Sequence, residues 1–414
     1  MKRQASIQNF FTKKQSVNRP VSDSADVDCA SNNVSSGVAS TSAVDPAPAA
    51  EDFKQIGRIL TEMKKDVVFK AVFKKLNYNG STYENLKITS LNEFDLNVEL
   101  KLPIDRRIEV ENSMEKPGFV MLFVEDFDES AFTSRTEEKV RREIMKWFSQ
   151  GYLYRTKVYE WMQGVLERAL SSYRSLPSVN VWVKRRTAGP AHNLIFEHSS
   201  FGELSVDLSP TLAFGLEDWP ADPVRHYYDI PFCTRLDDKN WYAVPKPPNK
   251  NYQQDPELWR ISFYSFELEM MNGLESLKPV LKLMKRLRDV QDWGKISSYY
   301  LKTVFMWQLH EHEEDPSFWR MPLGKLFMLM LEKIQKSLTD GEILFFWDEN
   351  LNLLNHVNTD FLTKTAFRIS NMRRRILYHL ENDVGAILDL YFNRKVSKEE
   401  SVEQGSSQEW CCIL

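Results

Sequence analysis

Cysteine is scarce in this chain: Cys29, Cys233, Cys411 and Cys412 are the whole supply across 414 residues. So few thiols make no disulfide framework, which points to a reducing compartment and a cytoplasmic location. Long apolar runs are missing too. No stretch reaches the roughly 18 apolar residues that a membrane-crossing helix needs, and the first residues carry no apolar signal-peptide core. Histidine is sparse, and His310 and His312 form the one close pair. They sit two apart rather than at the i,i+4 spacing of a helical metal pair, which reads as a surface loop. Charge of one sign is nearly absent in sum, at −4. Nucleic-acid binding would therefore need a local basic patch rather than an overall field.

What is present suits a folded protein. Hydrophobic residues make up 42% of the chain, enough for a sizeable core, and the length suggests two or three domains. Residues 1–50 read as a disordered tail, since 16–50 is rich in Ser, Ala, Val, Asn and Asp with little aromatic content. A long helix is expected over 52–76, with Ile56, Ile59, Leu60, Met63 and Val67 at helical spacing. Strands follow near 84–102 and 118–126, a helix over 137–172, then strands near 179–185, 193–198 and 202–209. From 256 onward the pattern is helical: 256–272, 277–290, 295–311, 321–337, 359–380 and 382–392. Pro-rich stretches near 220–231 and 245–256 mark the crossover. The expected division is a catalytic lobe over 51–225, a helical lobe over 226–395 and a flexible tail over 396–414.

The chemistry concentrates between residues 80 and 95. Gly80-Ser81 is followed by Glu93-Phe94-Asp95. Two acids one residue apart on a strand point to the same face, where they can share divalent cations. Gly80 allows a tight turn and a close approach of backbone to phosphate, and Ser81 adds a hydroxyl donor. A third acid, Asp207, alternates with Val206 and Leu208 and shares a face with Ser205 and Ser209. The short pattern alone also fits a surface turn beside two solvated acids.

The longer string narrows the choice. From Gly80 to Asp95 the chain closely resembles the nucleotidyltransferase core of the cyclic GMP-AMP synthase-like receptor family. The resemblance continues in order through Lys184-Arg185-Arg186, Gly189-Pro190-Ala191, Leu204 to Leu208, Asp218-Trp219-Pro220, Tyr242 to Lys246, Trp259 to Phe263, Leu281 to Lys285 and Ser297 to Thr303. It implies an α+β, bilobal nucleotidyltransferase fold: a mixed β-sheet catalytic lobe with a long spine helix, plus an all-helical C-terminal lobe. It also implies two Mg²⁺ or Mn²⁺ ions on Glu93, Asp95 and Asp207, and ATP and GTP as substrates for a cyclic dinucleotide second messenger in innate immunity. Gly80 and Ser81 would hold the donor triphosphate. Lys285 would lie near phosphates, and Tyr299 would stack on a base, although residue for residue Tyr299 also reads as a core tyrosine. Ser209, Lys246, Arg260, Ser262, Glu267, Ser297 and Ser298 fall at nucleotide-site positions. Tyr264 departs from the family by replacing a small hydroxyl residue, which leaves the product bases open.

The activator implied by the resemblance is nucleic acid. Lys54, Arg58, Lys64 and Lys65 fall in one arc of roughly 120° on the 52–76 helix, and Lys75 joins it. Lys278 and Lys282 supply a second basic helix. A solvated face is the plainer account of such lysines. Met270 to Ser276 runs into the second lobe without Cys or His, so no zinc ribbon is expected, and double-stranded RNA is favoured over DNA. A dimer on ligand binding would fit this mode. Rival readings are a catalytically inactive scaffold of the same fold and an oligoadenylate-type polymerase.

Both ends carry short motifs. Cys411-Cys412-Ile413-Leu414 fits a prenylation signal on Cys411, which would add membrane association. Gln4, Ile7, Phe10 and Phe11 have the spacing of a sliding-clamp-binding peptide, which would imply a nuclear pool.

Overall fold

The structure, a computed structural model, describes residues 47–88, 93–174, 182–186, 191–198, 202–219, 239–248, 253–313, 315, 317–382, 387, 391 and 392. The expectations for residues 1–46, including the Gln4–Phe11 peptide, and for the C-terminal Cys411 lie outside the described residues.

In chain order the first part comprises α1 (Ala47–Met63), α2 (Val67–Val72), β1 (Phe73–Asn79), α3 (Gly80–Tyr83), β2 (Glu93–Leu100), β3 (Glu109–Asn112) and β4 (Phe119–Phe123). Next come α4 (Glu138–Met145), β5 (Phe148–Ser149), β6 (Tyr152–Leu153), α5 (Arg155–Arg174), β7 (Trp182–Arg186), β8 (His192–His198), β9 (Gly202–Phe214), β10 (Trp241–Val244) and β11 (Leu258–Ser262). Among the described residues these strands form one 11-stranded sheet in the order β1-β2-β9-β10-β11-β4-β6-β5, with β3 on β4, β8 on β9 and β7 on β8. Only β2 and β9 run parallel; the other described pairs are antiparallel. The sheet is therefore mixed, as the resemblance implied. It takes in residues up to 262, beyond the boundary expected at 225.

Alternation sets the sheet's faces. Phe94, Leu96, Val98 and Leu100 of β2 enter the main apolar core, which leaves Glu93, Asp95, Asn97 and Glu99 on the opposite face. α1 lies along α5. It buries Ile56, Ile59 and Met63, and Gln55 accepts a hydrogen bond of 2.7 Å from the Tyr173 hydroxyl of α5.

The helix expected over 52–76 is cut short. It ends at Met63, and Asp66 starts α2 by accepting hydrogen bonds from Val68 N and Phe69 N, both at 3.0 Å. The chain then extends into β1. Lys75 accordingly lies on a strand, 3.7 Å from the buried Glu99, and does not continue the helical arc of Lys54, Arg58, Lys64 and Lys65. Asp66→Ala is expected to destabilise the fold by about 1 kcal/mol, the usual worth of such a cap; chemical denaturation measures it.

Two further helices are shorter than their periodicity suggested. The 137–172 segment breaks at a hairpin, because Gln150 and Gly151 both take positive φ, 51° and 82°, the demand of a two-residue hairpin turn. The start of 256–272 is β11, whose five residues are all buried. A short run buried on both faces carries no period that separates strand from helix.

The remainder is helical: α6 (Tyr264–Met270), α7 (Leu277–Val290), α8 (Ser298–Glu311), α9 (Leu323–Asp340) and α10 (Thr359–Asn382), interrupted by a hairpin of β12 (Leu344–Phe345) and β13 (Asp348–Asn352). That hairpin returns to the sheet. Trp347 packs on Phe263 at 4.5 Å between ring centres, and Asp348 accepts a hydrogen bond of 2.6 Å from Gly118 N.

Candidate active site

Strand register brings the predicted acids together. Asp95 of β2 lies opposite Asp207 of β9. The same row continues to Asn79 of β1 and to Asn193 of β8. Glu93 lies two residues back on β2, on the same face. Four strands thus carry one polar row, which no single stretch of sequence could display.

The Gly80-Ser81 turn sits directly over this row. Gly80 takes φ +78°, and a Cβ there would lie 1.9 Å from Asp95 Oδ2. Thr82 Oγ1 donates to the Glu93 carbonyl at 2.9 Å, so the turn is fastened to the strand that carries two of the acids.

Each carboxylate has a different environment. Asp95 is 6% exposed, and its Oδ1 has no hydrogen-bond partner among the described residues. Burial first, then repulsion from Asp207 and Glu93, holds its carboxyl well above the usual carboxylate range, with Lys87 opposing. Asp207 is raised by burial, opposed by the Asn193 amide and assisted by Glu93; Asn193 Nδ2 donates to Asp207 Oδ1 at 2.6 Å. Glu93 is partly exposed and accepts from Lys87 Nζ at 2.9 Å.

This donor set fits a hard divalent cation. The oxygens are carboxylate, one of them is buried and unpartnered, and the acids repel one another, which a cation would relieve. Among the described residues no three His, Cys, Asp or Glu side chains stand gathered around a metal position; Lys87 and Asn193 hydrogen-bond Glu93 and Asp207.

Comparison with known proteins agrees with this geometry. The Mab-21 protein nucleotidyltransferase domain matches residues 82–273, and the Mab-21 protein HhH/H2TH-like domain matches residues 276–371. A cyclic GMP-AMP synthase-like receptor of Tribolium castaneum is 30% identical over 334 residues, spanning 77% of this chain and 80% of the relative. The chain belongs to the cyclic GMP-AMP synthase-like receptor family. A receptor of Ctenocephalides felis is 29% identical over 345 residues, covering 78% of this chain and 76% of its own. One of Aethina tumida is 29% identical over 313 residues, covering 73% and 76%. The first lobe of this family member is thus a nucleotidyltransferase domain.

The remaining residues singled out by family resemblance differ in burial and in their partners. Ser81, Lys246 and Ser298 are half-buried. Ser209 is buried on β9, opposite Asn97, and Ser262 is buried on β11. Ser297 caps α8 by accepting from Tyr299 N at 3.1 Å. Arg260 lies between the rings of Phe119 and Phe345, at 5.1 and 4.3 Å; burial lowers its pKa to about 10, so it keeps its charge at neutral pH. Glu267 is 1% exposed and accepts from both the Tyr299 hydroxyl and Trp347 Nε1, each at 2.7 Å.

Two lysine and aromatic expectations change in this conformation. Tyr299 is a core tyrosine here, buried with its hydroxyl held by Glu267, rather than a ring with an open face for a base. Lys285 is buried and donates to the Leu86 carbonyl at 2.8 Å rather than facing an open phosphate position. Lys278 and Lys282 are half-buried and donate to Asn272 and Asn85, at 3.0 and 2.8 Å, so α7 offers less free basic surface than its sequence suggested. Lys54, Lys64 and Lys65 are exposed on or just after α1, with Lys65 paired to Glu62 at 2.6 Å and Lys64 over the Phe73 ring at 4.6 Å.

Sequence reasoning missed Lys87, Tyr83 and Asn193. Tyr83 has a buried hydroxyl without a partner among the described residues, and burial, Tyr78 and Asp95 push its phenol above the ordinary range. Asn193 could be found only through strand register. Beside it, His192 is buried and stacked on Tyr159 at 4.0 Å; burial, reinforced by Arg185, lowers its pKa to about 3. The unfolded chain binds that proton from about pH 6.5 downward, so His192 should cost stability as pH falls from about 6.5 toward 3, by about 1.4 kcal/mol per pH unit. Denaturation of a His192→Phe variant at several pH values should show a slope reduced by one proton.

Proposed function

We propose that this protein is a nucleic-acid-activated nucleotidyltransferase that joins ATP and GTP into a cyclic dinucleotide for innate immune signalling. The observation that carries this reading is the pairing of Asp95 with Asp207 across adjacent strands, beneath the Gly80-Ser81 turn. Glu93, Asp95 and Asp207 would hold two Mg²⁺ or Mn²⁺ ions. When bound, such ions lower the pKa of an attacking ribose hydroxyl and stabilise the leaving pyrophosphate. Asp207 can accept the proton of the attacking hydroxyl, while the amides and hydroxyl of the Gly80-Ser81 turn would receive the triphosphate. Asn193 fixes the rotamer of Asp207, and Lys87 screens Glu93 until substrate arrives. One such site serves both bond-forming steps if the linear intermediate turns over within it.

Exposed Lys54, Lys64 and Lys65 support duplex phosphate binding at one face, with double-stranded RNA as the favoured trigger. Such binding is salt-dependent and sequence-independent. The test is incubation of purified protein with ATP, GTP, CTP, UTP and Mg²⁺ or Mn²⁺, without ligand, with duplex DNA or with duplex RNA, read by mass spectrometry. A cyclic dinucleotide made only with one duplex is the expected result. Linear oligomers would instead indicate a polymerase, and no product in any arm would indicate a scaffold.

A further inference from the structure

Three ammonium groups of the helical lobe converge on one turn of the catalytic lobe. Lys282 Nζ donates to Asn85 Oδ1 at 2.8 Å, Lys285 Nζ to Leu86 O at 2.8 Å, and Lys302 Nζ to Glu84 Oε1 at 2.7 Å. This turn is the direct continuation of the phosphate-binding segment. Glu84 N donates to Gly80 O at 3.1 Å and Leu86 N to Ser81 O at 2.8 Å. A displacement of Glu84 or Leu86 therefore moves Gly80 and Ser81.

Lys302, buried like Lys285, bridges two carboxylates: besides Glu84 it lies 2.8 Å from Glu267 Oε2. Glu267 is in turn held by Tyr299 and Trp347, so the chain of contacts runs from the β12–β13 hairpin through α6 and α8 to the turn. Burial disfavours the Lys302 charge, but Glu267 and Glu84 outweigh it and hold its pKa above the ordinary lysine value. A buried ion triad is poor value for stability alone, because apolar residues of similar size often pack as well or better. Its hold on Glu84, whose amide bonds the Gly80 carbonyl, gives it another use.

We propose that Lys302 is a positioning residue through which the helical lobe sets the conformation of the Gly80-Ser81 turn, and with it the grip of that turn on a nucleotide triphosphate. This inference rests on the nucleotidyltransferase reading above. Pulling α8 away from the sheet would release Glu84, whereas ordering the two lobes together would lock it. Two discrete arrangements of one turn are then biased from a distance by whatever orders the lobes, the physical requirement for coupling.

The test uses the full chain with Lys302→Met, Lys302→Arg and Glu84→Gln. Hydrogen exchange of the 80–88 amides is read without nucleotide, and kcat and KM for ATP and GTP are read with the activating duplex. Lys302→Met should speed exchange at 80–88 and lower kcat/KM by about 100-fold, the scale of a misplacement near 1 Å, mostly through KM. Lys302→Arg keeps both ion pairs and should restore most of the loss. Glu84→Gln leaves Lys302 paired with Glu267, so it reports on the turn even if Lys302→Met fails to fold. Unchanged exchange at 80–88 in Glu84→Gln, or in a folded Lys302→Met, overturns the proposal. A wild-type protein that makes no product with any duplex overturns the functional reading instead, and the exchange result still judges the positioning role.

Discussion

Asp95→Asn should abolish product formation, by roughly 10²–10³-fold or more, the scale of losing one preorganised electrostatic contact, while raising thermal stability. The two effects share one cause. Asp95 is buried beside Asp207 and Glu93, and among the described residues its Oδ1 has no hydrogen-bond partner. With its folded pKa raised, the carboxyl contributes stability that is complete below the ordinary carboxylate range and is lost as pH rises through the folded value. Ionising it without metal therefore carries a desolvation and repulsion cost, and a neutral isostere removes that cost. Wild type should lose stability as pH rises from about 4 toward neutrality, Asp95→Asn should show a flatter profile, and Mn²⁺ should stabilise only the wild type, by mass action on the folded state. Asp207→Asn should lose activity to a similar degree with a smaller gain in stability, since Asn193 already satisfies one of its oxygens. Calorimetry across pH with and without Mn²⁺, beside the mass-spectrometric assay, checks all of this. Full activity in the Asp95→Asn, Asp207→Asn double variant would refute the metal assignment.

Gly80→Ala carries the second large effect. Two costs add at this position. The backbone sits at φ +78°, where an L side chain costs roughly 1–2 kcal/mol. The new methyl would also lie 1.9 Å from Asp95 Oδ2 and 2.8 Å from its Cγ, so Asp95 must rotate or the turn must lift. Either movement separates the Gly80-Ser81 turn from the carboxylates, and a shift of that size should lower kcat/KM by about 100-fold. Gly341→Ala is the matched control. It shares the left-handed conformation at φ +70°, at the end of α9, but nothing lies within 4 Å of its Cβ position. It should show a modest stability loss of about 1 kcal/mol with kcat/KM unchanged. Equal losses in the two variants would remove the steric argument.

Particular elements show why some of the molecule was legible in the sequence. α7 was expected over 277–290 and spans Leu277–Val290, because Leu277, Val280, Leu281, Met284 and Leu287 recur with the helical period on one buried face. Family membership was legible for a similar reason: the turn and the acids are local strings, and local strings survive in sequence. The one-residue spacing of Glu93 and Asp95 likewise dictated their common face. The helix over 52–76 was misjudged because a good apolar period continued past Asp66, where a single side-chain cap redirects the chain. The 256–272 helix concealed β11 because burial on both faces erases periodicity.

The sequence by itself determined the acids, the turn that covers them and the lobe of helices behind, since each depends on residues close together in the chain. Tertiary structure alone decided what those residues face. The row Asn79, Asp95, Asp207, Asn193 depends on the register of four strands, and the hold of Lys302 on Glu84 spans 218 residues. Lys282, Lys285 and Tyr299 keep their positions on helices, yet which of their polar atoms are spent on protein partners follows from how the two lobes meet. Local pattern fixes which way a side chain points from its own element, and only packing between distant elements fixes what it meets there.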